Sequence, residues 1–149
     1  MAMIDLISPE VVKVPLVSKT KTEVIRELVQ HLLDAGRIPE FQPAYDAVIA
    51  RENLASTGLE MGIAVPHAKT KAVRSLTVAI GISHQGIDFE SVDGKPSRLF
   101  FLLLAPPDQS GPHIEALAEI ARIAKSPTFL RMLVSATTAR EVVELFKEG

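Results

Sequence analysis

Cysteine is absent from this 149-residue chain, which excludes disulfides and thiolate metal sites and is compatible with a reducing compartment. Tryptophan is absent too and tyrosine occurs once, so the core has to be built from Leu, Ile, Val, Ala and six Phe. Neither sign of charge is in excess, the formal balance being −2 at pH 7. Such a chain has no electrostatic footprint for an anionic membrane surface, and no nucleic-acid partner is expected. Long apolar runs are also missing. The longest, Leu99 to Ala105, falls far short of the ~20 residues that span a bilayer. Met1 to Asp5 shows no basic stretch leading into an apolar one, so no secretory signal is visible. The expectation is a cytoplasmic protein without direct membrane insertion.

What is present is ordinary globular material, 47% hydrophobic and 23% charged, at a length that lets one domain bury a good core. No linker, repeat or low-complexity tract divides it, and one domain over residues 1–149 is expected. Val11 to Val17 reads as a short strand, with Pro15 marking an edge or an end. Thr20 and Glu23 have capping-box spacing for a first helix. Its apolar stripe is Val24, Ile25, Leu28, Val29, Leu32 and Leu33, and Gly36 is its stop. His31 lies off that stripe and is expected in solvent.

A second helix is expected over Pro43 to Glu52, with Ala44, Val48 and Ile49 inward and Arg51 near its C-terminal end. Ile63 to Val65 is a short extended piece ending at Pro66-His67. Leu76 to Ile82 reads as a strand, and His84 as a turn residue behind it. After a turn at Asp93-Gly94, the uniformly apolar Leu99 to Leu104 predicts a central strand covered on both faces. Ala105 to Pro112 reads as a loop, with Pro112 suited to the first turn of a helix that buries Ile114, Leu117, Ala118, Ala121 and Ile123. Ser126-Pro127 opens a further helix. Thr138 and Glu141 form a second capping box, with Val142, Val143, Leu145 and Phe146 to dock the last one. Strands mixed with helices predict an α/β domain.

Two of the four histidines share a setting. Pro66-His67 and Pro112-His113 each follow an apolar strand, where α/β folds place their sites, and proline stiffens the backbone that carries each imidazole. Histidine near neutral pH serves as a nucleophile or a switchable acid. From spacing alone either residue could equally cap a strand or hydrogen-bond in a turn. No phosphate-cradling glycine-rich loop with Lys and Ser/Thr is present. No two histidines have helical zinc spacing, and a site of His67, His113 and Glu60 would have to be assembled by the fold, so neither a metal nor a cofactor is expected.

One block is more specific. Arg51-Glu52-Asn53-Leu54-Ala55-Ser56-Thr57-Gly58, followed by Gly62-Ile63-Ala64-Val65-Pro66-His67, resembles the IIA component of the bacterial phosphoenolpyruvate:sugar phosphotransferase system, in its fructose/mannitol/nitrogen-regulatory class. The resemblance continues through Phe89 to Pro96, Leu103 to Pro107, His113 with its helix, and the C-terminal helix, so it covers nearly the whole chain. It implies a single domain with a mixed β-sheet flanked by helices, and a phosphotransferase component that forms a phosphohistidine intermediate. His67 matches the family's phosphorylated histidine, His113 its second active-site histidine, and Arg51 the arginine that faces the phosphoryl group. Thr57, with Ser56, is placed to offer hydroxyls to the phosphate or to shape the turn. No metal is implied. The implied donor is the phosphocarrier HPr or its nitrogen-branch paralogue. The implied receiver is a IIB domain, or regulatory target proteins.

Two departures stand out. Met61 occupies a position where the family has a polar Asn or Glu, and Ala68 replaces a frequent glycine, a mild change if its φ is negative. Free-standing length and the stretch Ala105 to Gln109 lean toward the nitrogen-regulatory members. A sugar-transport IIA subunit is the alternative, and a binding module that is not phosphorylated the third reading. Lys69, Lys71 and Arg74 are expected as solvated surface, with docking of an acidic partner the alternative.

Overall fold

Why two histidines from distant parts of the chain meet follows from one strand. The computed structural model describes residues 2–148. In it β5, Ser97–Ala105, runs through the middle of a mixed sheet of order β1-β4-β5-β2. Leu99 to Ala105 are all 0% exposed, the double-sided burial that an unbroken apolar run predicts. Alternation splits them between two cores, as the two-residue period of a strand requires. Leu99, Phe101, Leu103 and Ala105 face one side with α3 to α5, and Phe100, Leu102 and Leu104 face the other with α1 and α2.

The helices are α1 Lys21–Asp34, α2 Phe41–Leu54, α3 Ser110–Ala124, α4 Pro127–Ser135 and α5 Ala139–Glu148. The other strands are β1 Val12–Lys13, β2 Ile63–Ala64, β3 His67–Lys69 and β4 Thr77–Ile87. Strand β4 pairs antiparallel with β5, while β1 runs parallel to β4. On the other side of β5, β2 and β3 follow one another along the same edge, both parallel to it. The break between them falls at Val65-Pro66, because proline has no N–H for the ladder.

Both capping boxes hold as helix starts. The Thr20 Oγ1 accepts from Glu23 N–H and Thr138 Oγ1 from Glu141 N–H, which satisfies backbone donors that have no intrahelical partner. Ser126 caps α4 in the same way. Pro43 and Pro112 each occupy the third helical position, inside the first turn, where an amide N–H would have no partner to lose.

Several expectations need correction. The first strand is only Val12–Lys13, since Val11 closes a 3-10 turn and Pro15 ends the ladder. Strand β4 runs on to Ile87, so His84 lies in a strand, where its Nε2 hydrogen-bonds the Ala136 carbonyl at 2.8 Å and ties the α4–α5 link to the sheet. The predicted loop from Ala105 to Pro112 shrinks to Pro106–Gln109, because β5 keeps Ala105 and α3 starts at Ser110. The inward face of α3 is His113, Ala116 and Ile120, and Ile114 is 63% exposed. Turning His113 toward the sheet swings its neighbour outward by about 100°, the step of an α-helix. His31 is half-buried, with an Nε2 that reaches no solvent. Among the described residues no helix is long and apolar enough to cross a membrane.

Candidate functional site

Strand β3 and β5 are parallel and in register, His67 opposite Leu103 and Lys69 opposite Ala105. Two elements that leave the sheet in the same direction therefore deliver their ends together. His67 opens β3 beside the C-terminal half of β5, and β5 itself leads through Pro106–Gln109 into α3, whose first turn holds His113. The ring centroids of the two histidines are 5.2 Å apart, with planes inclined at 57°.

His67 is half-buried, and its Nδ1 lies 2.7 Å from the Val65 carbonyl oxygen. A carbonyl only accepts, so Nδ1 carries the hydrogen, and in the neutral ring the lone pair is on Nε2. The side chain is oriented by the backbone two residues before it, in the break between β2 and β3. His113 is 6% exposed, and its buried Nδ1 has no hydrogen-bond partner among the described residues. Its pKa is held below the ordinary imidazole value, first by burial and then by the neighbouring charges of His67 and Lys69. Burial and these charges favour the neutral form of His113.

Arg51 lies in the last turn of α2, near its C-terminal end as expected, and its Nη1 donates to the Ala55 carbonyl at 3.0 Å. Among the described residues it makes no ion pair, so most of its donor fork is uncommitted. Arg51, Thr57, Glu60, Met61 and His67 line one open cavity of about 500 Å³, with Leu117, Ile120 and Ala121 of α3 on its far wall. A guanidinium at the edge of an apolar cleft suits a planar array of oxygens.

The hydroxyls of the intervening loop are spoken for. Thr57 is buried, its Oγ1 donating to Glu52 Oε1 and its N–H to Oε2 at 2.7 Å. Ser56 Oγ donates to the Phe89 carbonyl at 2.6 Å. A phosphoryl oxygen would have to compete with a carboxylate for the Thr57 proton. Sequence reading passed over Glu52, although a signal existed. It stands four residues after Val48 on the stripe Ala44, Tyr45, Val48, where a charged residue is out of pattern.

Met61 is 49% exposed and left-handed, with φ +64°, and Gly62 follows at +75°. Ala68 is not among the positive-φ residues, so replacing glycine there carries no backbone strain. Glu60 is an exposed acid on the cavity wall. Among the described residues no three His, Asp or Glu side chains converge as a metal site needs.

Fold and site define a small mixed α/β protein that offers one oriented imidazole beside a second imidazole and an arginine. The chain belongs to the EIIA 2 family of the phosphoenolpyruvate-dependent sugar phosphotransferase system, which it matches over residues 5–149. It is 36% identical to a fructose-specific EIIA component of Haloferax volcanii, over 87% of this chain and 84% of that protein. It is 30% identical to a nitrogen regulatory protein of Bradyrhizobium diazoefficiens, over 95% and 92%. The fructose-specific EIIABC component of Bacillus subtilis is 32% identical over 99% of the chain, which spans 23% of that longer protein's length. Among solved structures, the nitrogen regulatory protein IIA-Ntr from Neisseria meningitidis superposes with a TM-score of 0.83 at 25% identity, over 97% and 98% of the two chains.

Proposed function

We propose that the chain is a cytoplasmic phosphocarrier in which the Nε2 of His67 accepts a phosphoryl group from HPr or a nitrogen-branch paralogue of it, and passes it on or displays it as a signal. The observation that carries this reading is the hydrogen bond from His67 Nδ1 to the Val65 carbonyl, which in the neutral ring leaves the lone pair on Nε2 of a residue that lines the cavity. In the transfer the P–N bond to the donor breaks and the Nε2–P bond forms. His67 keeps its Nδ1 hydrogen, so its ring becomes cationic, and the Val65 carbonyl stabilises that charge. The same cation makes the ring a good leaving group for the next step.

The transition state is loose, and the protein's work is positioning and balancing charge on three equatorial oxygens. Arg51 supplies the fixed cation. His113 supplies a neutral partner whose charge can follow that of the phosphoryl group. Thr57 is assigned to shaping the loop, since Glu52 holds its hydroxyl.

The regulatory role, in which phosphorylation of His67 changes which proteins the chain binds, is the one we favour. The nitrogen regulatory relatives that match most of both chains support it. The 36% identity to a fructose-specific EIIA component supports the second reading, relay to a IIB domain in sugar uptake.

Phosphoryl transfer from phosphoenolpyruvate through Enzyme I, with ordinary HPr and its nitrogen-branch counterpart compared, tests both. Acid-labile label is expected on the wild type and none on His67→Ala, whose fold stays intact, and the preferred donor separates the two roles. Full labelling of His67→Ala would overturn the assignment. An unlabelled wild type would leave a binding module that keeps the fold without the chemistry.

A further inference from the structure

Ser56 and Thr57, in the loop after α2, line the His67 cavity, and a buried carboxylate from that helix holds the loop in place. Glu52 is 6% exposed. One of its oxygens takes the Thr57 hydroxyl and the other the Thr57 N–H. The latter oxygen also lies 3.2 Å from the ammonium of Lys21, at the start of α1. Lys21 in turn reaches Glu90 at 3.2 Å and stands 4.9 Å from the centre of the Phe89 ring. The Phe89 carbonyl accepts the Ser56 hydroxyl from the same loop. The end of α2 and the stretch at Phe89 both bond this short segment, and Lys21 of α1 joins the two.

The arrangement is expensive where it stands. A carboxylate taken out of water pays a desolvation cost that its partners must offset, and the C-terminal end of a helix disfavours negative charge. An apolar residue in register with Val48 would pack there without those costs. What the carboxylate adds is geometry. It pins Thr57 through two bonds, and the loop that Thr57 belongs to begins with Ala55, whose carbonyl holds the Arg51 guanidinium.

We propose that Glu52, neutralised by Lys21, is a positioning residue for phosphoryl transfer: by clamping Thr57 it sets the Ala55 carbonyl, and through it aligns Arg51 on the group carried by His67. The proposal rests on His67 being the phosphoryl acceptor.

The test is transfer from phosphorylated HPr at a temperature well below every unfolding midpoint, with Glu52→Gln, Thr57→Val, their double variant and Lys21→Met. Glutamine can accept only one of the two Thr57 bonds, the other surviving only by turning the Thr57 hydroxyl round to accept from the amide, and it no longer pairs with Lys21. The maximal rate of Glu52→Gln is expected to fall by about tenfold, the scale of a small misplacement of a catalytic group, with the KM for the donor unchanged. Thr57→Val should lose a comparable factor. The double variant should be no slower than the slower single one, because both cut the same connection. Wild-type rates in Glu52→Gln, or multiplying losses in the double variant, would overturn the clamp. If Glu52→Gln does not fold, wild-type rates in both Thr57→Val and Lys21→Met overturn it equally. An unlabelled wild type would show instead that the reading of His67 has failed, and the proposal falls with it.

Discussion

The imidazoles of His67 and His113, 46 positions apart in the chain, lie 5.2 Å apart between ring centroids. One is tied through Nδ1 to the Val65 carbonyl, and the other has a buried Nδ1 with no partner among the described residues. The pair is thus asymmetric: the first ring is oriented by a bond to its own backbone, and burial above all favours the neutral form of the second.

That asymmetry predicts how stability depends on pH. The folded pKa of His113 lies below its unfolded value, so between the two the unfolded chain binds more protons, and stability rises with pH there. As pH falls from about 6.5, the ordinary imidazole value, the wild type should lose stability that His113→Gln retains. Urea unfolding of both proteins across pH 5–8 measures the difference. Parallel curves for the two proteins would remove His113 as the cause.

Phosphorylation should push His113 the other way. A phosphoryl group on His67 brings negative charge beside it, and an opposite charge nearby favours the protonated imidazole. The 15N resonances of the His113 ring, titrated in the two states, should show a higher pKa in the phosphorylated protein. No change would place the phosphoryl group away from His113.

Arg51 contributes both a permanent charge and a planar fork, and two substitutions separate them. Arg51→Lys keeps the charge and loses the fork, whereas Arg51→Met loses both. The rate of transfer to His67 should fall about a hundredfold for methionine, the scale of removing a donor to developing charge, and by less, about tenfold, for lysine. Stopped-flow transfer from phosphorylated HPr orders the three. Equal rates for lysine and methionine would mean that charge is not what matters.

Met61 holds a left-handed conformation at φ +64°, which a side chain such as methionine adopts at a cost and asparagine tolerates far better. Met61→Asn should therefore stabilise the protein by roughly 0.5 kcal/mol in urea unfolding. It also restores the polar residue usual in the family the block resembles. Label on His67 should persist in this variant at wild-type stoichiometry, and a loss of stability would show that the methionine side chain packs usefully at the cavity edge.

Much of this architecture is legible along the chain because it depends on local order. The unbroken apolar run ending at Ala105 reads as a strand covered on both sides, and it is the middle of the sheet. Capping at Thr20 and Thr138 and the serine before Pro127 placed helix starts within a residue or two, since those hydrogen bonds span three positions. Errors fell where a partner from elsewhere overrides the local pattern. His84 reads as a turn but is held in a strand whose ring bonds the Ala136 carbonyl, and Ile114 reads as core but is displaced to solvent by the inward turn of His113.

The candidate site divides in the same way. Residue order alone supplies the chemistry: a histidine behind a stiff proline, a second one with the same setting, and an arginine in the last turn of a helix. It cannot supply the meeting of the two rings, which depends on β3 running parallel to β5 in the register that puts His67 opposite Leu103. Nor can it reveal the buried Glu52, whose burial is tolerable only because Lys21 from another helix and the Thr57 loop arrive at its two oxygens. Pattern along a chain reports which side chains want to be buried or bonded. Which of them find each other is set by packing between segments far apart in sequence, where the free energy of each contact depends on all the others.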